Sequence, residues 1–455
     1  MQLLVFFLGA QAGDGFWEIP DENGAQCGNM AATWKGRCAS DLYGRCLDLK
    51  HAYKQLGRNP VDNWSSVLAV ANPHDGSVYF FEAVALPFGA VSSVLAFNRV
   101  ARALRMVMSR LFKLVVTNFF DDFCQLEVGL LRSPAWSTAE ALMALLGWKI
   151  SMGEDKRHPF QKRFEILGAV VTLPEVGSKV IEVSNKQTRL EQLALQVEEM
   201  KSFLGKHVAR SQLESIKGRL LYASGHTYGR STQLACQLLH KLGGSGPTAL
   251  ITADLIHAIA EALSLLLESK PRMINAWSNT PPLLIFTDGA VEESSSKVTH
   301  GALLVDPWKE TSYFFGDHVP GNFVEMWQRA GKKQVTAQAE IFPVLIAKET
   351  WQSEISGRSV LWFLDNDSAR LALIRCFSPV LDNFCLLQLN ARLDSKLHAR
   401  HWYSRVPSKS NPSDDASRLE FSAYKRSVQS MPCYVAANDA VQRFWQLMKK
   451  VEKGC

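Results

Sequence analysis

Apolar residues along the chain fall into two kinds of run: short stretches rich in β-branched and aromatic residues, and longer stretches with helical spacing. In order, the first half predicts a strand entering a helix, a hairpin, a helix, a second hairpin, a further helix and more strands. Residues 72–76 supply the turn of the first hairpin. This order predicts an α+β domain, an antiparallel sheet with its helices on one face.

The second hairpin carries two adjacent carboxylates, Asp121 and Asp122, between the apolar runs 114–116 and 123–126. Like charges side by side repel and resist burial. A divalent cation resolves this conflict, since Mg²⁺ favours one or two carboxylates together with substrate phosphates. A solvated turn is the alternative. Asp48 similarly ends a short apolar strand, where an aspartate can also be a helix cap.

The second half begins with a mostly helical region, residues 184–270, which is followed by prolines typical of a linker. Two buried strands then each deliver an aspartate at their end, Asp288 and Asp365. A helix over 335–351 carries Glu340 among apolar residues. If these elements pack together, their carboxylates form a cluster that favours two metal ions.

The start of the last predicted helix supplies a fourth carboxylate, Asp414. Asp367 and Asp415 lie one or two positions from the chosen aspartates and are rivals for the same roles. The alternative for any one of these carboxylates is a helix cap or a surface charge.

Composition limits the class of protein. The 455 residues include 50 Lys and Arg against 44 Asp and Glu, a net charge of +6, which permits a polyanionic partner without requiring one. The nine cysteines are scattered and never form C-x-x-C. A disulfide framework or zinc module is therefore not expected, and an intracellular location, cytoplasmic or nuclear, fits better.

No apolar run reaches the length of a membrane span, so no membrane partner is expected. The opening run, residues 3–10, is apolar, but no basic residue precedes it. A signal peptide is therefore only a weak alternative for this segment.

Five short motifs occur in the order of the palm motifs of reverse transcriptases, and the chain resembles this family over about residues 40–420. The similarity is greatest to retrotransposons of the gypsy or tyrosine-recombinase (DIRS-type) kind. The motifs are Asp48 with Tyr53, Leu86-Pro87-Phe88-Gly89, Phe119–Phe123, Gly147-Trp148, and Lys156 followed by Leu167-Gly168.

The resemblance implies an RNA-directed DNA polymerase that extends a DNA primer on an RNA template with dNTPs. It implies two Mg²⁺ (or Mn²⁺) ions, held mainly by Asp48 and Asp121 with support from Asp122. Lys156 would act near the leaving pyrophosphate as a general acid, with a surface lysine as the alternative. The substrate-binding residues would be Tyr53, Phe88 and Gly89, with Tyr53 stacking under the sugar.

The second half resembles the ribonuclease H fold, an α/β domain with a mixed five-stranded sheet that cleaves RNA in an RNA–DNA hybrid. In this resemblance Asp288, Glu340, Asp365 and Asp414 hold two Mg²⁺ or Mn²⁺ ions. Asp414 is preferred to Asp415 because Asn411, Ser417 and Arg418 then match the family's Asn, Ser and Arg. The mobile histidine of some family members is absent from residues 406–410, which favours weaker activity.

The expected organisation is an irregular remnant of the fingers over 1–40, a palm over 41–183, a helical thumb and connection over 184–280, a ribonuclease H-like domain over 281–420 and a tail over 421–455. Only 47 residues precede Asp48, too few for the family's fingers. Two hypotheses follow: an active fused enzyme, or a catalytically decayed, nucleic-acid-binding retroelement remnant.

Overall fold

The chain divides into two compact units in the computed structural model. The first comprises residues 1–186 with 273–278, and the second 187–272 with 279–455. The structure describes residues 16–442 except 22–23, 30–40, 154–156, 176–179, 229, 231, 243–245, 276–279, 293–296, 329–333 and 379–381.

The first unit contains eleven strands and two α-helices among the described residues. The strands are β1 (Phe16–Asp21), β2 (Gly24–Asn29), β3 (Leu42–Asp48), β4 (Val67–Ala71), β5 (Val78–Glu82), β6 (Val115–Phe119), β7 (Asp122–Val128), β8 (Arg163–Ile166), β9 (Ala169–Thr172), β10 (Val180–Asn185) and, after the helical region, β13 (Arg272–Asn275). The helices are α1 (Val91–Arg110) and α2 (Arg132–Leu145).

The central sheet of the first unit is antiparallel, in the order β3-β7-β6. Helix α1 covers it with Phe97, Ala101, Leu104 and Met108, which recur at helical spacing and are all buried. The predicted antiparallel sheet with packed helices is therefore present. A second sheet has the order β13-β10-β9-β8.

The hairpin β4–β5, predicted from its turn, lies outside these cores. All ten of its strand residues are exposed, including Phe80 at 72% of its surface. Exposed apolar residues on both faces of a two-stranded hairpin are unusual, because such a hairpin is marginal without a packing partner.

The second unit begins with a helical bundle, as predicted for this region. Its elements are α3 (Gln187–Lys201), β11 (His207–Ala209), α4 (Arg210–Ser224), α5 (Gln233–Leu242), β12 (Thr248–Leu250) and α6 (Ala253–Glu268). Leucines from the helices, such as Leu193, Leu220 and Leu255, share one buried core.

The rest of the second unit is an α/β domain. Its strands are β14 (Leu283–Val291), β15 (Val298–Asp306), β16 (Thr311–His318), β17 (Ser359–Leu364), β18 (Arg400–Arg405) and β19 (Val428–Gln429). Its helices are α7 (Gly321–Trp327), α8 (Thr336–Thr350), α9 (Gln352–Ile355), α10 (Asp367–Arg375), α11 (Asp382–Leu397) and α12 (Asp414–Ser417).

One mixed sheet organises this domain, in the order β18-β17-β14-β15-β16-β19. The pairs β18–β17, β17–β14 and β16–β19 are parallel, and the remaining pairs are antiparallel. The sequence predicted five strands, so the sixth, β19, corrects that number. It was missed because two paired residues produce no alternating pattern.

Strand β19 belongs to the segment predicted as a tail from residue 421. Tyr434 lies beyond it; its hydroxyl is 2.8 Å from His300 Nε2 and donates to Asp317 Oδ2 at 3.0 Å. Ala437 and Val441 are buried in the domain core. Residues 428–441 are therefore packed elements of the α/β domain.

The helical bundle contacts the α/β domain within the second unit. Arg392 on α11 pairs with Glu261 on α6 at 2.5 Å, and Leu265, Cys376 and Ala391 form a small buried cluster. Unfolding of either part would therefore expose surface of the other. The boundaries of the five expected segments stay predictions.

A buried ion pair lies in the α/β core. Lys348 Nζ is fully buried, contacts Asp394 Oδ1 and donates to Asn390 Oδ1 at 2.6 Å and to the Tyr403 hydroxyl at 2.8 Å. His401 Nε2 lies 3.2 Å from the same Asp394 oxygen. A buried charge is tolerated when it is paired and hydrogen-bonded in this way.

In the described parts of the chain, no helix is both long enough and apolar enough to cross a lipid bilayer.

Candidate functional site

Three carboxylates meet at one end of the mixed sheet. Asp288 lies in β14 and Asp365 directly follows β17, and the parallel register that sets Phe286 opposite Phe363 places the two aspartates level. Glu340 projects from α8, which packs over β14. Each of the three offers an oxygen within 4.8 Å of the others, the only such group of three possible ligands among the described residues.

Close approach of α8 to the sheet brings Glu340 into this group. A Cβ on Gly289 would lie 2.2 Å from the carbonyl oxygen of Ala339, so a side chain there would push the helix away. The Gly289 N–H also lowers the pKa of the Glu340 carboxyl, against the larger effect of burial. Glycine at this position therefore sets the height of Glu340 above Asp288.

The electrostatics of the group favour a cation. Burial, then repulsion from Asp288 and Asp365, raises the pKa of Glu340 to about 9. Burial also raises the pKa of Asp288 to about 6, and Asp365 and Asp414 add to the rise. A positive charge at this point would relieve both effects, because it stabilises the ionised carboxylates.

Two oxygens of the group lack hydrogen-bond partners. Glu340 Oε2 and Asp365 Oδ1 are both buried and neither accepts a hydrogen bond. Buried acceptors without partners cost free energy, so such atoms call for a ligand. Three hard oxygen donors fit Mg²⁺ or Mn²⁺ and do not fit a thiophilic metal. The donor set thus supports the predicted metal site here.

Ser417 forms a hydrogen bond with this group of carboxylates. In the sequence it was noted only as a match to a family motif. Its hydroxyl donates to Asp288 Oδ2 and lies 2.8 Å from the backbone oxygen of Asp414. This hydrogen bond opposes the rise in the pKa of Asp288. Asn411 holds the preceding loop, since its Nδ2 donates to the Thr287 carbonyl at 3.1 Å.

Two glycines allow the backbone at Ser417 to pack closely against the sheet. Gly301 and Gly316 are register partners on β15 and β16. A Cβ on Gly301 would lie 2.3 Å from Ser417 N, and one on Gly316 would lie 2.1 Å from Ala416 O. The backbone of α12 therefore rests directly on the sheet, next to Asp288. No short sequence pattern signals such a contact between distant segments.

The fourth predicted carboxylate, Asp414, is not among the three that meet. It begins α12, a helix of only four residues, and its Oδ2 accepts from Arg418 Nε at 3.0 Å. It is close enough to raise the pKa of Asp288. The choice between Asp414 and Asp415 as fourth ligand stays a prediction.

The rival Asp367 lies in an ion-pair network instead. Its Oδ1 accepts from Arg370 Nη2 at 2.8 Å and its Oδ2 lies 3.2 Å from Arg405 Nη1. These arginines lower the pKa of Asp367. An aspartate paired twice in this way is a poorer metal ligand than Asp365.

The predicted polymerase carboxylates lie in the first unit. Asp48 ends β3 directly opposite Asp122 on β7, and Asp121 sits in the turn after Phe120, whose φ is 50°. Asp48 and Asp121 both line a cavity of about 540 Å³. Two carboxylates opening onto one cavity suit Mg²⁺ that also binds substrate phosphates.

Neighbouring side chains hold two of these carboxylates. Ser151 Oγ donates to Asp48 Oδ2 at 2.8 Å, and the thiol of Cys46 lies 3.8 Å from Asp122 Oδ1. Burial, followed by the charge of Asp122, raises the pKa of that thiol. Cys46 therefore stays protonated beside the carboxylate and can donate to it.

The predicted substrate-binding residues of the palm lie together. Tyr53 is 8% exposed and stacks on Phe97 with ring centroids 4.6 Å apart. Phe88 is 78% exposed, lines the cavity and lies 4.9 Å from the Tyr53 ring. Gly89 has a φ of 89°, which favours glycine. Lys156 lies outside the described residues.

No protein-family model matches the chain, and no curated protein does. Solved structures that match include three of foamy viral protease-reverse transcriptase. The "dRH" form with ds DNA is 12% identical, with a TM-score of 0.37 over 80% of this chain and 56% of its own. The complex with dsDNA is 12% identical, with a TM-score of 0.37 over 86% and 78%.

The complex with an RNA/DNA hybrid is 10% identical, with a TM-score of 0.35 over 90% of this chain and 73% of its own. The chain spans little more than half the length of the first of these structures. It is thus distantly similar in structure to these protease-reverse transcriptases.

Proposed function

We propose that the chain is a retroelement reverse transcriptase fused to a ribonuclease H, and that its ribonuclease H half cleaves phosphodiester bonds with Mg²⁺ or Mn²⁺. The observation that carries this proposal is the meeting of Asp288, Glu340 and Asp365, with two buried oxygens that have no hydrogen-bond partner. The order of the sequence motifs supports RNA in an RNA–DNA hybrid as the substrate.

The residues of this site have separable roles. Asp288, Glu340 and Asp365 would hold the metal pair, with Asp414 as the proposed fourth ligand. Ions held there would supply Lewis-acid stabilisation of the charge that develops on the phosphate. Ser417 would keep Asp288 oriented and ionised, because its hydroxyl donates to that carboxylate.

The test is cleavage of a labelled RNA–DNA hybrid by the full chain with Mg²⁺ or Mn²⁺. Asp365→Asn should abolish cleavage, because a ligand is lost while the volume of the side chain is kept. Asp367→Asn is the matched control and should retain it. Cleavage by Asp365→Asn equal to that of the unchanged chain would overturn the site assignment.

We also propose RNA-directed DNA polymerase activity in the first unit. The cavity shared by Asp48 and Asp121 supports it, with the Phe88 ring at its wall. Primer extension on a primed RNA template is the measurement, and Asp121→Asn should abolish it. Extension by that variant at the rate of the unchanged chain would remove Asp121 from the role.

The competing proposal is a decayed remnant that binds nucleic acid without turnover. Asp414 pairs with Arg418 and lies outside the group of three carboxylates, which favours this proposal for the nuclease half. Hybrid binding without primer extension or metal-dependent cleavage by the unchanged chain would make this the better description.

A further inference from the structure

A second cavity of the first unit lies between α1 and the tip of the β6–β7 hairpin. It has a volume of about 340 Å³ and shares no lining residue with the cavity of Asp48 and Asp121. We call it the arginine pocket; its lining residues are Asn98, Arg102, Arg105, Asn118, Phe119 and Phe120. Positions 98, 102 and 105 follow helical spacing, so these three side chains share one face of α1.

The positive charge of the arginine pocket is not neutralised within the described protein. Among the described residues, the guanidinium groups of Arg102 and Arg105 form no ion pair or hydrogen bond, and α1 contains no acidic residue. The Nε of Arg105 is buried and has no acceptor. A buried N–H without an acceptor costs free energy. A bound anion would supply that acceptor and form a charge-assisted hydrogen bond.

An exposed aromatic ring adjoins these cations. Phe119 exposes 56% of its surface, and its ring meets that of Phe120 edge to face at 4.7 Å. Phe120 packs against the core, so it fixes the orientation of Phe119. A fixed, exposed ring beside guanidinium groups has the composition of sites where bases stack and phosphates pair with arginine.

We propose that the arginine pocket binds a phosphodiester group of a single nucleic-acid strand, with Arg102 and Arg105 on the phosphate and Phe119 stacked on the adjoining base. The shallow, open position of Phe119 favours a strand passing over the pocket rather than an enclosed mononucleotide. This inference rests on the proposed function for the class of polymer, but it uses none of the proposed metal ligands.

The experiment is fluorescence anisotropy with a labelled single-stranded oligonucleotide, using the full chain in EDTA. The variant Arg102→Gln/Arg105→Gln should bind about tenfold or more weakly, and the slope of log affinity against log salt should fall by about one to two. The matched control, Arg99→Gln/Arg110→Gln, removes the same charge from α1 outside the pocket. Equal losses of affinity in the two variants would overturn the assignment of strand binding to the arginine pocket.

Two further variants keep the test decisive. Phe119→Ala should weaken binding about tenfold with an unchanged salt slope, because it removes stacking and no charge. Arg102→Lys/Arg105→Lys keeps the charge but loses the forked donors, so it should bind between the unchanged chain and the glutamine variant. It also serves if the glutamine variant does not fold. Full affinity of both Phe119→Ala and Arg102→Lys/Arg105→Lys would contradict the proposal.

Competition separates the sources of phosphate. The unlabelled strand should displace the probe at far lower nucleotide concentration than free dTMP or inorganic phosphate. Equal displacement by dTMP would overturn the assignment to a strand.

The outcomes also separate this inference from the proposed function. If Asp365→Asn binds the strand normally and does not cleave the hybrid, the result supports strand binding at the arginine pocket independently of the nuclease. If the unchanged chain cleaves the hybrid and Arg102→Gln/Arg105→Gln binds the strand normally, the arginine pocket is rejected and the proposed function is kept.

Discussion

The Ser417 hydroxyl donates a hydrogen bond to Asp288 Oδ2, joining residues 129 positions apart in the chain. This contact lowers the pKa of Asp288 against the opposing effect of burial, which holds it at about 6. The ionisation of the candidate metal site therefore depends on a residue that is not one of its proposed ligands.

Ser417→Ala should shift metal-dependent cleavage to higher pH and higher Mg²⁺ concentration. The alanine removes the donor, so the pKa of Asp288 rises further. Hydrogen bonds to charged groups contribute about 1.5–3 kcal/mol, which corresponds to roughly tenfold or more in the Mg²⁺ required. Cleavage titrated with Mg²⁺ across pH measures this effect. The exposed Ser408 supplies the control, Ser408→Ala, and a pH profile identical to that control would contradict the role of Ser417.

Glu340→Gln should stabilise the protein at alkaline pH in EDTA. The folded pKa of Glu340 is raised from 4.5 to about 9, so its protonated form stabilises the fold at low pH. That contribution is lost as pH rises through about 9. The glutamine removes the penalty, and Tm near pH 9 should rise by a few degrees, since each kcal/mol shifts Tm by about 2–4 °C.

In EDTA, Glu340→Gln should thus have the higher Tm of the two chains. Added Mn²⁺ should give the unchanged chain the higher Tm, because it stabilises that chain more than Glu340→Gln. Glu325 is exposed on α7, and Glu325→Gln should change neither value. A glutamine variant with lower Tm in EDTA at pH 9, or with undiminished stabilisation by Mn²⁺, would argue against the metal site.

Asp394→Leu should destabilise the second unit by about 3–5 kcal/mol, because it leaves Lys348 buried without its carboxylate. Replacing both partners, as in Lys348→Met/Asp394→Leu, should cost much less. Urea unfolding of the three chains measures the difference. A double variant as unstable as Asp394→Leu would show that the ion pair is not the cause.

Ending the chain after residue 426 should destabilise the second unit and reduce hybrid cleavage. The truncation removes β19, which pairs with β16, and the Tyr434 contacts with His300 and Asp317. A chain ending at residue 442 is the control and should match the full chain in Tm. Equal Tm for the two truncated chains would show that the segment is dispensable.

Local patterns predicted the elements that carry the site well. Apolar runs ending in Asp288 and Asp365 gave two adjacent strands, and helical spacing placed Glu340 on α8. The same reasoning expected a helix opening at Asp414, where the structure has only four helical residues. A short helix stabilised by packing leaves little periodicity to read.

What the sequence could not give depends on contacts between distant segments. The Ser417 hydrogen bond, the packing of residues 428–441 and the pairing of Arg392 with Glu261 each join positions far apart in the chain. Their residue types are ordinary for loops and helix surfaces. Only the folded arrangement distinguishes them from solvated side chains.

The contact of Ala416 and Ser417 with the bare backbone of Gly301 and Gly316 has a consequence for the tolerance of the gene to mutation. One methyl group at either glycine would lift α12 from the sheet and separate Ser417 from Asp288 while leaving every proposed ligand in the sequence. In a saturation mutagenesis screen, these two codons should accept as little variation as those of the carboxylates. A mutated copy of the gene could thus lose the proposed nuclease activity through a single glycine-to-alanine change while all its sequence motifs remain intact.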